Sequence, residues 1–332
     1  MDINNLFDEF KKNKILIVGD VMLDTYIIGK VDRISPEAPV PVVDIINKIN
    51  KLGGASNVAL NIKELGATPI ICSIIGKDSI GIELEYLFKS NDLNTKYLFR
   101  TKKRKTTNKI RIIGNNYQLL RIDDENKNDL DGDLFNKIKD NIIIAMAENK
   151  IDGIIIQDYN KGVITKDMIE YIIRLTNKRN IPLFIDPKIK NFDYYGKCDI
   201  FKPNFNELKK GLKLDIDIES WEDIKPHVEN MMIDKNINCF YTTLGDKGIL
   251  LSYNDKNNII HKHIKSIKRN ISDVSGAGDT VISVASLMNI NRADKILTAN
   301  ISNLAGGLVC ESVGVVPINK KELLNEIKKY DF

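Results

Sequence analysis

The 332-residue chain is poor in cysteine and histidine, with four and three copies. Cys72, Cys198, Cys239 and Cys310 lie far apart and form no Cys-x-x-Cys pair, so neither a disulfide framework nor a cysteine zinc site is indicated, and a reducing cytoplasm fits best. His261 and His263 alternate about Lys262 in an expected strand and share a face. They can in principle hold a metal, but with only His227 besides, a surface pair is the expectation. No apolar run approaches the roughly 20 residues of a membrane span. The N-terminus is polar, with Asp2, Asp8 and Glu9, so neither secretion nor membrane insertion is expected. Charge of one sign is also lacking: 49 Lys and Arg against 45 Asp and Glu give +4, spread along the chain, and no nucleic-acid partner is indicated. The short run Lys102, Lys103, Arg104, Lys105 reads as a solvated loop. No first strand leads into Gly-x-Gly-x-x-Gly and no Walker-type Gly-x-x-x-x-Gly-Lys-Ser/Thr is present, which disfavours a dinucleotide dehydrogenase and a P-loop kinase.

What is present is a packed α/β pattern. Hydrophobic residues make up 43% and charged residues 28%, a globular composition, and the length allows one large α/β domain or two ordinary ones. Residues 14–18 form a β-rich run ending in Gly19-Asp20, the mark of a first buried strand with polar groups at its C-terminal end. Helix is expected over 54–65, 80–89, 133–148 and 166–179, and strand over 69–75, 153–156 and 182–185, an alternation that predicts a largely parallel sheet covered on both faces. Strands are expected again over 239–243, 248–253 and 259–264. Two stretches break the rhythm: 24–46, extended and bearing Pro36, Pro39 and Pro41, and 106–122, a hairpin around Gly114-Asn115-Asn116. They form either a small separate sheet, serving as lid or dimer surface, or edge strands of the main one. One domain spanning 1–332 with a small appendage is the simplest organisation.

Asp273-Val-Ser-Gly-Ala-Gly-Asp-Thr280 precedes an apolar helical stretch, and two readings compete for it. As an anion cradle, Gly276, Ala277 and Gly278 let helix-start amides approach a bound anion, with Asp279 placed to accept a proton. As a plain helix start, Ser275 or Asp273 caps and the glycines turn. Gly53, Gly54 and Asn57 open another helix, where small residues admit a ligand and the amide can bond sugar hydroxyls, though a helix cap explains the glycines too. Asp20 and Asp24 upstream are sugar-binding candidates or plain turn residues. Asn204 and Glu207 share a helical face after Pro203; the pair either holds a hydrated Mg²⁺ or forms a capping box. Thr243-Leu-Gly-Asp-Lys-Gly248 is a tight turn able to approach a nucleotide.

Gly53-Gly54 with Asn57, Asp186-Pro187, Asn204 with Glu207, Thr243-Leu244-Gly245 and Gly276-Ala277-Gly278-Asp279 occur in the order and rough spacing of the ribokinase-like, or carbohydrate kinase B, family, which the chain resembles over nearly its whole length. Within it, Gly-Asp-Val-Met-Leu-Asp (19–24), Arg-Ile-Ser-Pro-Glu-Ala-Pro-Val-Pro-Val (33–42), Thr-Asn-Lys-Ile-Arg (107–111) and Gln-Leu-Leu-Arg-Ile-Asp (118–123) resemble the branch that phosphorylates D-glycero-β-D-manno-heptose 7-phosphate at O1 in ADP-heptose synthesis. The resemblance implies a three-layer αβα sandwich with a mostly parallel sheet and a small β lid, ATP as donor, Mg²⁺ as helper and a monovalent cation as a further option. It implies Asp279 as base with the 276–278 amides as anion hole, and Asn204, Glu207, Lys188, Thr243, Gly245 and Gly248 on the nucleotide side, Glu207 meeting Mg²⁺ through water. Asp20, Asp24, Gly53, Gly54 and Asn57 match sugar-side positions. Arg33, Lys109, Arg111 and Arg121 are the candidates for the 7-phosphate, because a dianion calls for cationic partners. A homodimer through the lid is expected. Family members are often fused to a nucleotidyltransferase, which is not expected here, so a separate protein would act later. Ser275 stands where Thr is common, and the hydroxyl is kept.

Overall fold

The computed structural model describes residues 2–256 and 258–332. Its first helix, α1 (Ile3–Glu9), is capped by the Asp2 carboxylate and buries Leu6 and Phe7; the polar composition around them gave no sign of it. Then follow β1 (Lys14–Gly19), β2 (Val21–Ile34), β3 (Pro41–Gly54), α2 (Ala55–Glu64), β4 (Thr68–Gly76), α3 (Ser79–Ser90) and β5 (Leu98–Thr101). The middle of the chain gives β6 (Thr107–Gly114), β7 (Tyr117–Asp124), α4 (Gly132–Glu148), β8 (Gly153–Gln157), α5 (Lys166–Arg179), β9 (Leu183–Asp186), β10 (Cys198–Phe201) and α6 (Phe205–Gly211). The rest supplies α7 (Lys225–Lys235), β11 (Ile237–Thr243), β12 (Ile249–Asp255), β13 (Asn258–Ile264), α8 (Ala277–Ile290), α9 (Lys295–Val309) and α10 (Lys320–Ile327).

Nine strands form one sheet in the order β13-β12-β11-β10-β9-β8-β1-β4-β5, parallel except where β12 runs against both neighbours. Alternate residues of each central strand point to opposite faces, and the apolar residues divide accordingly. Ile15, Ile17, Ile155 and Phe184 join the layer built with α2, α8 and α9; Leu16, Val18, Ile154, Ile156 and Ile185 join the layer built with α4, α5 and α7. Strands apolar on both sides need helices on both sides, and the three-layer sandwich is the result.

The two stretches that break the rhythm form a second, four-stranded sheet, β3-β2-β6-β7, set apart from the first as a lid. Its strands run further than the 24–46 and 106–122 segments, because β2 continues almost directly from β1 and β3 runs straight into α2. Asn115 and Asn116 close the β6–β7 hairpin with φ of 53° and 69°, the left-handed pair that a two-residue turn requires. His261 bonds Ser252 and Glu229, whereas His263 bonds the Lys247 carbonyl, so the two serve as hydrogen-bonding surface residues. Among the described residues no cluster of three or more His, Cys, Asp or Glu side chains could hold a metal, all four cysteines are free and buried, and no helix is long and apolar enough to cross a membrane.

Candidate active site

The C-terminal ends of the parallel strands converge: Gly19 ends β1, Gln157 ends β8, Asp186 ends β9, and Lys202 follows β10. Open α/β sheets bind ligands at this edge. Asp279, in the first turn of α8, is buried there and accepts from three donors on three elements. Asn57 Nδ2 of α2 reaches Oδ2 at 2.8 Å, while Gln157 Nε2 and the Tyr159 hydroxyl reach Oδ1 at 3.0 and 2.7 Å. Burial pushes the Asp279 carboxyl up to about 6, with Asp186 adding to the rise and the Asn57 and Tyr159 donors and Lys202 opposing it. Gln157 also donates to Asp186, whose other neighbour is Lys202 Nζ at 3.0 Å in a buried ion pair.

The plain reading of the glycine motif fails on its cap. Gly276, at φ 87°, is the N-cap of α8 and no side chain caps the helix. Asp273 instead accepts from the amides of Ser275 and Gly314. Side chains would crowd the site here: a Cβ on Gly276, already at positive φ, would lie 2.9 Å from Asn57 Nδ2, and one on Gly278 would lie 3.2 Å from Lys202 Nζ. The start of α8 and the positive end of its dipole lie at this edge of the sheet, with no side chain capping them.

On the other flank, Asn204 and Glu207 do form a reciprocal capping box for α6, with both bonds at 2.8 Å. The second Glu207 oxygen pairs with Lys188. Burial opposes the charge on Lys188, but Asp186 and Glu207 more than offset it and raise its pKa. A single carboxylate already engaged in this way fits a Mg²⁺ that keeps most of its waters and takes phosphate oxygens, and does not fit a protein-caged ion. Thr243 bridges to Asn204, which joins the β11 turn to the start of α6. Gly245, at φ 65°, leaves open space beside it, whereas Gly248 is fixed by packing, since a Cβ there would lie 2.1 Å from the Ile264 carbonyl.

The acceptor-side candidates divide. Asp24 pairs with Arg111, and Gly53 is required beneath it, because a Cβ would lie 1.9 Å from Asp24 Oδ2; Gly54 starts α2 at φ 59°. Cross-strand register puts Lys51, Asp24, Lys109 and Asp123 in one row and Ile49, Tyr26, Arg111 and Arg121 in the next, all on one face of the lid. Among the described residues no carboxylate lies within ion-pair distance of Lys109, which lies over the Tyr159 ring; burial, then the nearby Lys161, lowers its pKa. Three other acceptor-side candidates are placed differently. Arg121 is half exposed on an edge strand and is paired with Asp123. Arg33 is exposed near the far end of β2, nine residues and roughly 30 Å of strand beyond Asp24. Asp20 is buried and engaged by backbone: Oδ2 accepts from the amides of Tyr159 and Lys161, and Oδ1 from that of Val163. The basic loop is also less solvated than expected, because Arg104 is half-buried against the carbonyls of Asn126 and Lys161.

Gln157, Tyr159, Lys161, Lys51 and Lys202 belong to this site and were missed by sequence reasoning. The signal for the first three was the strand end after 153–156, where polar residues begin as they do at Gly19-Asp20. Replacing Asp20 with Ala leaves three buried amides without an acceptor. Asp20→Ala is expected to destabilise the fold by about 3 kcal/mol in urea unfolding and to raise hydrogen exchange at the amides of 159, 161 and 163 before that of the β1 amides.

A model of the pfkB family of carbohydrate kinases matches residues 12–321. The bifunctional protein HldE of Koribacter versatilis is 35% identical over 330 residues, 98% of this chain and 66% of its own length; that of Geotalea uraniireducens is 32% identical over 326 residues, 98% and 65%. The chain thus spans about two thirds of the length of these relatives. In fold it is similar to Escherichia coli phosphofructokinase-2 in complex with potassium, at a TM-score of 0.75 and 16% identity over 94% of this chain and 97% of that one. Arabidopsis thaliana ribokinase complexed with ribose and ATP gives 0.69, also at 16% identity, over 96% and 99%. The chain belongs to the pfkB family of carbohydrate kinases.

Proposed function

We propose that the protein transfers the γ-phosphoryl group of ATP to O1 of D-glycero-β-D-manno-heptose 7-phosphate, giving the 1,7-bisphosphate used in cytoplasmic ADP-heptose synthesis. The observation that carries the kinase chemistry is Asp279, a buried carboxylate with a raised pKa at the mouth of a helix that no side chain caps. The choice of heptose rests on the runs at 19–24, 33–42 and 107–123. In this reading the O1 hydroxyl gives its proton to Asp279 as O1 attacks the γ-phosphorus in line, and the bond to the β–γ bridging oxygen breaks to release ADP. The 276–278 amides and Lys188 face the transferring group and take up its charge. Asn204 and Glu207 would hold Mg²⁺ through water, and the ion would neutralise phosphate charge. Asp24, Gly53, Gly54 and Asn57 bound the sugar pocket. Of the four cationic candidates, Lys109 is favoured for the 7-phosphate, with Lys161 beside it, because it is half-buried and not spent on an ion pair. A homodimer through the lid belongs to the same proposal, since the outer lid face carries Ile110, Ile112, Leu120 and Ile122 with the last two exposed, and an apolar sheet face of this kind favours a partner.

Incubation with ATP, Mg²⁺ and a panel of synthetic heptose 7-phosphate, fructose 6-phosphate and ribose is expected to favour the heptose, with NMR placing the new phosphate on C1; preference for an unphosphorylated sugar would sink the heptose assignment. The same assays with potassium exchanged for tetramethylammonium read out any monovalent-cation requirement. Asp279→Asn is expected to lower turnover by about 10²–10⁴ while leaving ATP binding by calorimetry intact. Because only the ionised carboxylate accepts a proton, wild-type kcat/KM is expected to fall as pH drops through about 6. Light scattering at micromolar concentration is expected to give the mass of a dimer, and a monomer mass would remove the lid interface.

A further inference from the structure

Tyr159 touches three parts of the site. Its hydroxyl donates to Asp279 Oδ1, and its ring lies 5.4 Å from Lys109 Nζ of the lid and 5.3 Å from Lys188 Nζ of the nucleotide flank. The backbone beneath it is held by two buried carboxylates: Asp20 takes the amides of Tyr159 and Lys161, and Asp158 takes that of Asn160. Asp158 is itself fixed by Asn191 and the Tyr195 hydroxyl. The ring therefore has a rigid base and a cation on each flank.

The two oxygens of a carboxylate offer about four lone-pair sites. Asn57, Gln157 and Tyr159 use three of those on Asp279, which leaves one for an incoming alcohol. Tyr159 stays a donor at any working pH, because burial and then the charges of Asp279 and Asp186 push its own pKa well above the ordinary value. We propose that Tyr159 is a positioning residue that acts through Asp279, fixing the plane of the carboxylate so that its remaining lone pair meets the acceptor hydroxyl. The proposal rests on Asp279 as the proton acceptor.

The sign of its removal follows from the hydrogen bond. A donor stabilises the ionised carboxylate, so losing it raises the pKa of Asp279 and leaves less base at a given acidic pH. The other groups facing Asp279 stay in place: Asn57, Gln157, Asp186, Lys188 and Lys202. Tyr159→Phe keeps the ring between Lys109 and Lys188 and deletes only the hydroxyl. With heptose 7-phosphate, or with fructose 6-phosphate should that prove the faster acceptor, single-turnover transfer is expected to slow about tenfold with KM for ATP unchanged. The acidic limb of its pH profile is expected to move upward. In the free enzyme the Asp279 carboxyl, followed by ¹³C NMR of Asp-labelled protein and assigned by its loss in Asp279→Asn, is expected to titrate at higher pH in Tyr159→Phe. Transfer within twofold of wild type, or a slower rate with neither the limb nor the carboxyl titration moved, would overturn the proposal and leave Tyr159 a packing residue. Near-wild-type turnover in Asp279→Asn would instead remove the base assignment itself, so the two failures are distinguishable.

Discussion

A carboxylate taken out of water must be given donors by the protein, and in this chain Asp279 is the one on which the others depend. Its three donors come from α2, from the end of β8 and from the loop after it, while the acid itself sits on α8. Placing four elements around one side chain fixes how they pack. The α2–α8 contact is carried further by a small polar chain, in which the Thr280 hydroxyl bonds Asn61 Oδ1 and Asn61 Nδ2 bonds the Asn57 carbonyl. Asn61 Oδ1 also takes the amide of Ile318 and so draws in the C-terminal segment. The same helices bury Val58, Ile62, Val281 and Val284 in one apolar layer, so site geometry and core packing are a single constraint there.

The loop after β8 shows how the sheet turns a second carboxylate to structural use. Asp20 leaves the end of β1, next to β8 in the sheet, and bonds amides two residues apart, at 159, 161 and 163. That regular spacing holds an irregular segment against the strand ends. Asp20 is thereby the fixture for the residues that flank Asp279. The lid is docked by similar means: the Tyr26 hydroxyl accepts from the Val315 amide, and its ring lies against Gly314 and between Lys51 and Arg111.

The alternation of strand and helix was legible because it depends on local periodicity: apolar runs at 14–18, 153–156 and 182–185 coincide with or overlap strands buried on both faces. The glycine motif at 276–279 was legible because glycine marks close approach, and the structure supplies the atoms that demand it. What was hidden depends on contacts distant in sequence. Gln157 and Tyr159 lie more than a hundred residues from Asp279 and carry no motif of their own. Charge singles out Arg33 and Arg121, whereas the position of Arg33 along β2 and the pairing of Arg121 with Asp123 are not read from composition. Asn204 and Glu207 satisfy the capping box fully, as their spacing allows.

Ionising three buried aspartates at the strand ends costs the fold stability. Asp279 and Asp158 are pushed from an ordinary value of 3.8 to about 6, both mainly by burial, and Asp20 is raised for the same reason despite its three amides. A carboxyl with a raised folded-state pKa favours the native state in its protonated form: the contribution is full below about 3.8 and is lost as pH rises through about 6. At neutral pH the native state therefore carries these charges at a cost, which two continuous apolar layers on either side of the sheet must offset. Dispersing the charge into amides, hydroxyls and a buried Lys202–Asp186 pair limits that cost without abolishing it. What remains is the condition for keeping the Asp279 carboxylate ionised at neutral pH and shielded from water at the mouth of α8.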